Sequence, residues 1–153
     1  MQVAPIDPDD PDVRLLISEL DAALAAVTGD SGASSFDAND VRGPRAVFLV
    51  ARAEDGAPAG CGALRPLEGE ADVGEIKRMY ARPGSGAGKR LLAALEAQAR
   101  DLGYREVRLS TRRINARAVD FYRRHGYLEA PAWGKYVGSA VSVCLGKPLS
   151  PGA

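Results

Sequence analysis

Met79-Tyr-Ala-Arg-Pro-Gly-Ser-Gly-Ala-Gly-Lys-Arg-Leu-Leu92 carries an apolar strand end into three alternating glycines, Gly84, Gly86 and Gly88, and then into an amphipathic helix. Glycine lets a backbone approach a ligand closely, and the first N–H groups of a helix have no partner inside it. With the helix dipole behind them, those groups form an anion site suited to a pyrophosphate. The stretch Gly84, Ser85, Gly86, Ala87, Gly88 and Lys89 therefore points to a nucleotide-bearing cofactor. A P-loop is excluded, because Pro83 stands where its first glycine belongs and Arg90 replaces the magnesium-binding hydroxyl. A dinucleotide fingerprint fails on spacing, and no βαβ unit begins the chain.

Working outward, residues 2–6 read as a strand, and Asp10-Pro11 opens a helix with Asp10 as N-cap. Val13, Leu16, Ile17, Leu20, Leu24 and Val27 recur every three or four residues and mark its buried face. Residues 28–45 read as a loop with at most a short helix. Strands follow at 46–53, 59–66 and 72–82, separated by the turn signal Glu54-Asp55-Gly56 and by a turn containing Gly69. The next helix, 87–102, buries Leu91, Leu92, Leu95, Ala99 and Leu102 and stops at Gly103. A strand at 106–111, a helix at 115–125 closed by Gly126, and strands at 127–130 and 141–146 complete the series. This order predicts a mixed, mainly antiparallel α/β sheet of six to seven strands with helices on its faces. One domain spans residues 1–148, and 149–153 form a tail.

Composition narrows the partners. The 153 residues balance 20 basic against 20 acidic side chains, so no net positive field favours nucleic acid or an anionic membrane. No apolar run reaches membrane-spanning length, and the N-terminus lacks signal-peptide character. The single histidine, His125, and two separated cysteines, Cys61 and Cys144, provide no metal spacing. The cysteines read as small buried side chains in a reducing compartment, and a cytoplasmic protein is expected. His125 falls in a last helical turn, where a cation complements the dipole.

Three motifs occur in order: Glu75-Ile-Lys-Arg-Met-Tyr-Ala-Arg-Pro, Gly84-x-Gly-x-Gly-x-x-Leu-Leu, and Asn115-Ala-x-Ala-x-x-Phe-Tyr-x-x-x-Gly-Tyr. Together they resemble the GCN5-related N-acetyltransferases, the GNAT superfamily, over roughly residues 46–148. The resemblance implies a sheet splayed between its fourth and fifth strands, with acetyl-CoA in the gap and no metal. It places pantetheine along the backbone of Met79, Tyr80 and Ala81, with the Met79 N–H on the thioester carbonyl. The pyrophosphate falls on Gly84–Lys89. Asn115 would bond the pantetheine arm, cap a helix, or do both.

Glu75 matches the position of a general base, needed because an amine is protonated at neutral pH; its alternative is a strand carboxylate paired with an arginine. Tyr122 matches the acid that protonates the departing thiolate; its alternative is a core aromatic. The resemblance implies a small-molecule or protein amine as acceptor, and Arg45, Arg65, Trp133 and Tyr136, which lie in or beside loops, are candidate pocket residues. A homodimer through a sheet edge would be ordinary for such a family. Two departures bear on activity: Pro83 occupies the family's Gln/Arg position, and the interval from Met79 to Leu91 is short. They keep open a second expectation, a non-catalytic acyl-CoA-binding or structural domain.

Overall fold

The computed structural model describes residues 1–150; residues 151–153, the end of the expected tail, lie outside them. In chain order the elements are β1 (Gln2–Pro5), α1 (Pro11–Thr28), β2 (Val47–Arg52), β3 (Pro58–Leu67), β4 (Glu70–Ala81), α2 (Ala87–Asp101), β5 (Glu106–Arg112), α3 (Ala116–Arg124), β6 (Leu128–Glu129) and β7 (Ser142–Pro148). Seven strands form one sheet in the order β1-β2-β3-β4-β5-β7-β6. Every pairing is antiparallel except β4 with β5. This is the expected mixed α/β architecture.

Strand alternation sorts the core into two layers. Leu49 and Ala51 of β2 face Leu91, Leu92, Leu95 and Ala99 of α2, with Tyr122 of α3 in the same cluster. Phe48 and Val50 face the other way, onto Val13 and Leu16 of α1. Four consecutive buried residues in β2 thus follow from helices on both sides, as its unbroken apolar run implies. Leu91, Leu92 and Leu95 are at most 1% exposed, so each stabilises the fold by about 1.5–3 kcal/mol.

Helix ends follow local chemistry. Asp10 accepts from the Asp12 N–H at 2.9 Å, and Asn115 accepts from the Ala118 N–H at 3.3 Å. His125 takes the C-cap position of α3, with Nδ1 2.7 Å from the Phe121 carbonyl. Val27 departs from the expected buried face and is 48% exposed. The loop between α1 and β2 holds two short 3₁₀ turns, Ala33–Ser35 and Ala38–Val41. Strand β7 reaches Pro148, and the Leu149 N–H donates to the Arg105 carbonyl at 2.8 Å, pinning the start of the expected tail. Among the described residues no helix is long and apolar enough to cross a membrane.

Candidate active site

The sheet opens where its direction changes. β4 and β5 pair over only three positions, Val73–Glu106, Gly74–Val107 and Glu75–Arg108. Beyond Glu75 the rest of β4 diverges from β5, leaving backbone groups along Ile76–Ala81 without a partner strand on that side. A β-bulge accentuates the divergence. The register steps from Cys61–Tyr80 to Ala63–Lys77, so Gly62 faces both Arg78 and Met79. Arg78 takes φ +52°, a left-handed conformation uncommon for a residue with a side chain. Its buried guanidinium is held by Asp21 of α1 and by the Ser31 carbonyl at 3.1 Å. These contacts fix the bulge from the α1 side.

A cavity of about 320 Å³ occupies the divergence, at the small end of the roughly 300–1,000 Å³ typical of small-molecule sites. Met79, Asn115 and Tyr122 all line it, together with Lys77 and Tyr136. Three residues from two separate motifs thus converge on one space. Tyr122 is 8% exposed and its ring meets Phe121 and Tyr127 edge-on, with centroids 5.2 and 5.6 Å away. Its hydroxyl makes no hydrogen bond among the described residues, and no buried side-chain polar atom lacks a partner; the hydroxyl therefore opens to the cavity. Burial pushes its pKa above the ordinary tyrosine value, so it is a proton donor at neutral pH rather than a base.

Glu75 lies behind this wall rather than in it. Arg65 Nε donates to Oε1 at 2.9 Å, Trp133 Nε1 donates to Oε2 at 3.1 Å, and Lys77 Nζ stands 3.9 Å from Oε2. Arg65 also pairs with Asp40. The alternative of a carboxylate paired with an arginine is therefore present in the geometry, with Lys77 between the carboxylate and the cavity. Arg45, a candidate pocket residue, sits elsewhere. Its guanidinium lies 4.0 Å from the Tyr104 ring centroid and bonds the carbonyls of Leu102 and Ala71, so it ties the loop before β2 to the end of α2. Cys61 and Cys144 are buried, and desolvation raises the Cys61 thiol to about 12, which leaves it unreactive.

The glycine loop lies outside the cavity, at the N-terminus of α2. Gly86 is the N-cap at φ +76°, a conformation that favours glycine, and Ser85 Oγ accepts from the Ala87 N–H at 3.2 Å. The N–H groups of Gly86, Gly88 and Lys89 carry no protein partner among the described residues. This donor set suits a pyrophosphate. Lys89 is exposed beside it, whereas Arg90 reaches the Met1 carbonyl at 3.4 Å. Arg82 is held away by Glu19 of α1 through bonds of 2.9 and 2.7 Å. Tyr80 turns the same way, its hydroxyl donating to Glu19 at 3.0 Å, while Ala81 pairs with Gly60 at the end of β4. The Arg82 hydrogen bonds hold the Glu19 carboxyl below the ordinary range.

Sequence reasoning missed Lys77, Arg78 and Asp21. A bulge residue at positive φ carries no glycine to announce it, and Asp21 and Arg78 meet only through the tertiary fold.

Comparison with known proteins agrees with this geometry. The model of the Acetyltransferase (GNAT) family matches residues 16–127, the greater part of the chain. A protein of Azospirillum brasilense named IAA acetyltransferase is 34% identical over 137 residues, covering 88% of each chain. A structure from Klebsiella pneumoniae subsp. pneumoniae with a proposed acyl-CoA N-acyltransferase role superposes with a TM-score of 0.79 at 32% identity, covering 97% of both chains. A GNAT family acetyltransferase from Elizabethkingia anophelis with acetyl-CoA bound shares the fold at a TM-score of 0.69 and 14% identity, again over 97% of both chains. The chain belongs to the GNAT acetyltransferase family.

Proposed function

We propose that this protein is an acetyl-CoA-dependent N-acetyltransferase of the cytoplasm that acetylates a primary amine by direct transfer, within one domain spanning residues 1–148. The observation carrying this reading is the short β4–β5 pairing, which opens onto a cavity where the Tyr122 hydroxyl stands free. Acetyl-CoA supplies the activated acyl group. The Met79–Ala81 backbone takes its pantetheine arm, and Met79, released from the ladder by the bulge, donates its N–H to the thioester carbonyl. Asn115 spends its side-chain oxygen on the Ala118 N–H, leaving its amide NH₂ for the same arm. Gly84, Ser85, Gly86, Ala87, Gly88 and Lys89 cradle the pyrophosphate through the N–H groups that lack protein partners.

Tyr122 protonates the departing thiolate. Glu75 takes the amine proton; because Lys77 and not Glu75 lines the cavity, the proton reaches it through a bridging water rather than by contact. One observation favours instead a non-catalytic acyl-CoA-binding or structural role with an impaired pyrophosphate loop: Arg82, the basic side chain before Pro83, is committed to Glu19 and adds no charge to that loop. CoA-thiol release from acetyl-CoA, measured across a panel of primary amines, separates the two. Amine-dependent release supports transfer; acetyl-CoA binding without release from any amine supports the non-catalytic role.

A further inference from the structure

We propose that the acceptor amine carries a carboxylate, as an amino acid does, and that Lys77 and Lys135, both set around Tyr136, read it. The inference rests on the transferase reading above and names its substrate class. The cavity wall presents four cationic side chains, Lys77, Arg78, Arg112 and Lys135, against one carboxylate, Asp30. Two of the cations are committed: Arg78 pairs with Asp21, and Arg112 with Asp30 at 2.9 Å. The two lysines are not. Lys77 Nζ donates to the Tyr136 hydroxyl at 2.9 Å, and its closest carboxylate oxygen, on Glu75, is 3.9 Å away and beyond hydrogen-bond reach. Lys135 donates to Ser35 Oγ; its charge is felt by the Asp30 carboxylate, which is hydrogen-bonded to Arg112 instead. An ammonium has three donors, so both keep donors to spare.

The placement is specific. The Lys77 and Lys135 nitrogens lie 5.5 and 5.6 Å from the centroid of the same Tyr136 ring. The Lys77 side chain is only 9% exposed, so its charge acts in a poorly screened setting, where a carboxylate partner gains most. The charges are not needed for the cofactor's phosphates, because no residue of Gly84–Lys89 lines this cavity. They oppose a polycation by like-charge repulsion. They also disfavour a protonated amine beside them, and that is the form unable to attack.

The test compares matched primary amines differing only in the carboxylate: L-phenylalanine with phenethylamine, L-tryptophan with tryptamine, and L-lysine with cadaverine. Spermidine and kanamycin serve as polycations. CoA-thiol release and calorimetric binding are read for wild type, Lys135→Ala and Lys77→Met. At least one acid member should exceed its decarboxylated partner in kcat/KM by about tenfold or more, and both polycations should fall below it. Lys135→Ala, at an exposed position, should erase most of that preference while acetyl-CoA affinity holds; it carries the test if Lys77→Met fails to fold. A decarboxylated amine or a polycation used equally well overturns the proposal. Carboxylate binding that depends on Lys135, without thiol release from any amine, upholds the site and removes the transferase reading. Neither binding nor turnover of any acid member overturns the site itself.

Discussion

Replacing Tyr122 by phenylalanine removes one oxygen from the cavity wall and little else. The ring keeps its edge contacts with Phe121 and Tyr127, and the lost hydroxyl had no hydrogen-bond partner among the described residues. Stability should therefore change by no more than about 0.5 kcal/mol, a Tm shift within about 2 °C for a chain of this size. Loss of a general acid is far larger, roughly 10²–10⁴ in rate, or about 2.7–5.5 kcal/mol of barrier. Steady-state thiol release with the best acceptor gives kcat, and calorimetric titration gives the acetyl-CoA Kd. The expected result is a kcat lower by about a hundredfold or more, with Kd and Tm nearly unchanged. A variant as fast as wild type would refute the acid assignment. So would a parallel loss of affinity and rate, which would make the hydroxyl a binding group.

Three further outcomes follow from the packing. In Gly60→Ala the added Cβ would lie 2.6 Å from the Tyr80 carbonyl oxygen and 2.8 Å from Leu91 Cδ1; overpacking of this kind costs about 1–3 kcal/mol, and an unchanged Tm would show that β3 and β4 yield freely there. Tyr127→Phe removes the 2.8 Å bond from its hydroxyl to buried Glu96, which should cost about 2 kcal/mol and lower Tm by about 4–8 °C; a shift under about 1 °C would mean that Lys147 alone satisfies the carboxylate. Burial raises the pKa of both Tyr122 and Tyr127, with the Glu96 charge adding to the second. The folded state thus holds these protons more tightly than the unfolded chain. Their stabilisation is complete below the ordinary tyrosine pKa of about 10 and declines above it, by up to about 1.4 kcal/mol per pH unit for each group. Denaturant melts between pH 8 and 11 should show this alkaline limb, and a flat profile would contradict the burial of the two hydroxyls.

Elements governed by nearby residues were legible in the sequence. Asp10 and Asn115 cap α1 and α3 as their residue types suggest, and the leucine spacing of α2 marks its buried face. The order of the three motifs led to the sheet and to Met79, Asn115 and Tyr122 around one cavity. The surroundings of Glu75 were less accessible. Its partners Arg65 and Trp133 are 10 and 58 positions away, and no local periodicity relates them. Tyr136 was a candidate only because it lies in a loop, and its pairing with Lys77 across 59 positions follows from the tertiary path. Arg45 shows the converse: an arginine before a strand looked like a pocket residue, but its planar guanidinium stacks on Tyr104 and bonds two carbonyls. The bulge at Arg78 and Met79 lacks the glycine that usually marks a left-handed position, because Asp21 and Ser31 hold the arginine in place.

The central claim is that the opening between β4 and β5 and the glycine loop together hold acetyl-CoA despite Pro83 and the commitment of Arg82 to Glu19. Calorimetric titration of the full chain with acetyl-CoA tests it most directly. The expected result is saturable binding at one site per chain with a Kd of about 1 µM–1 mM, the span of ordinary cosubstrate concentrations. Absence of binding heat at several temperatures, with acetyl-CoA in the millimolar range, would contradict it.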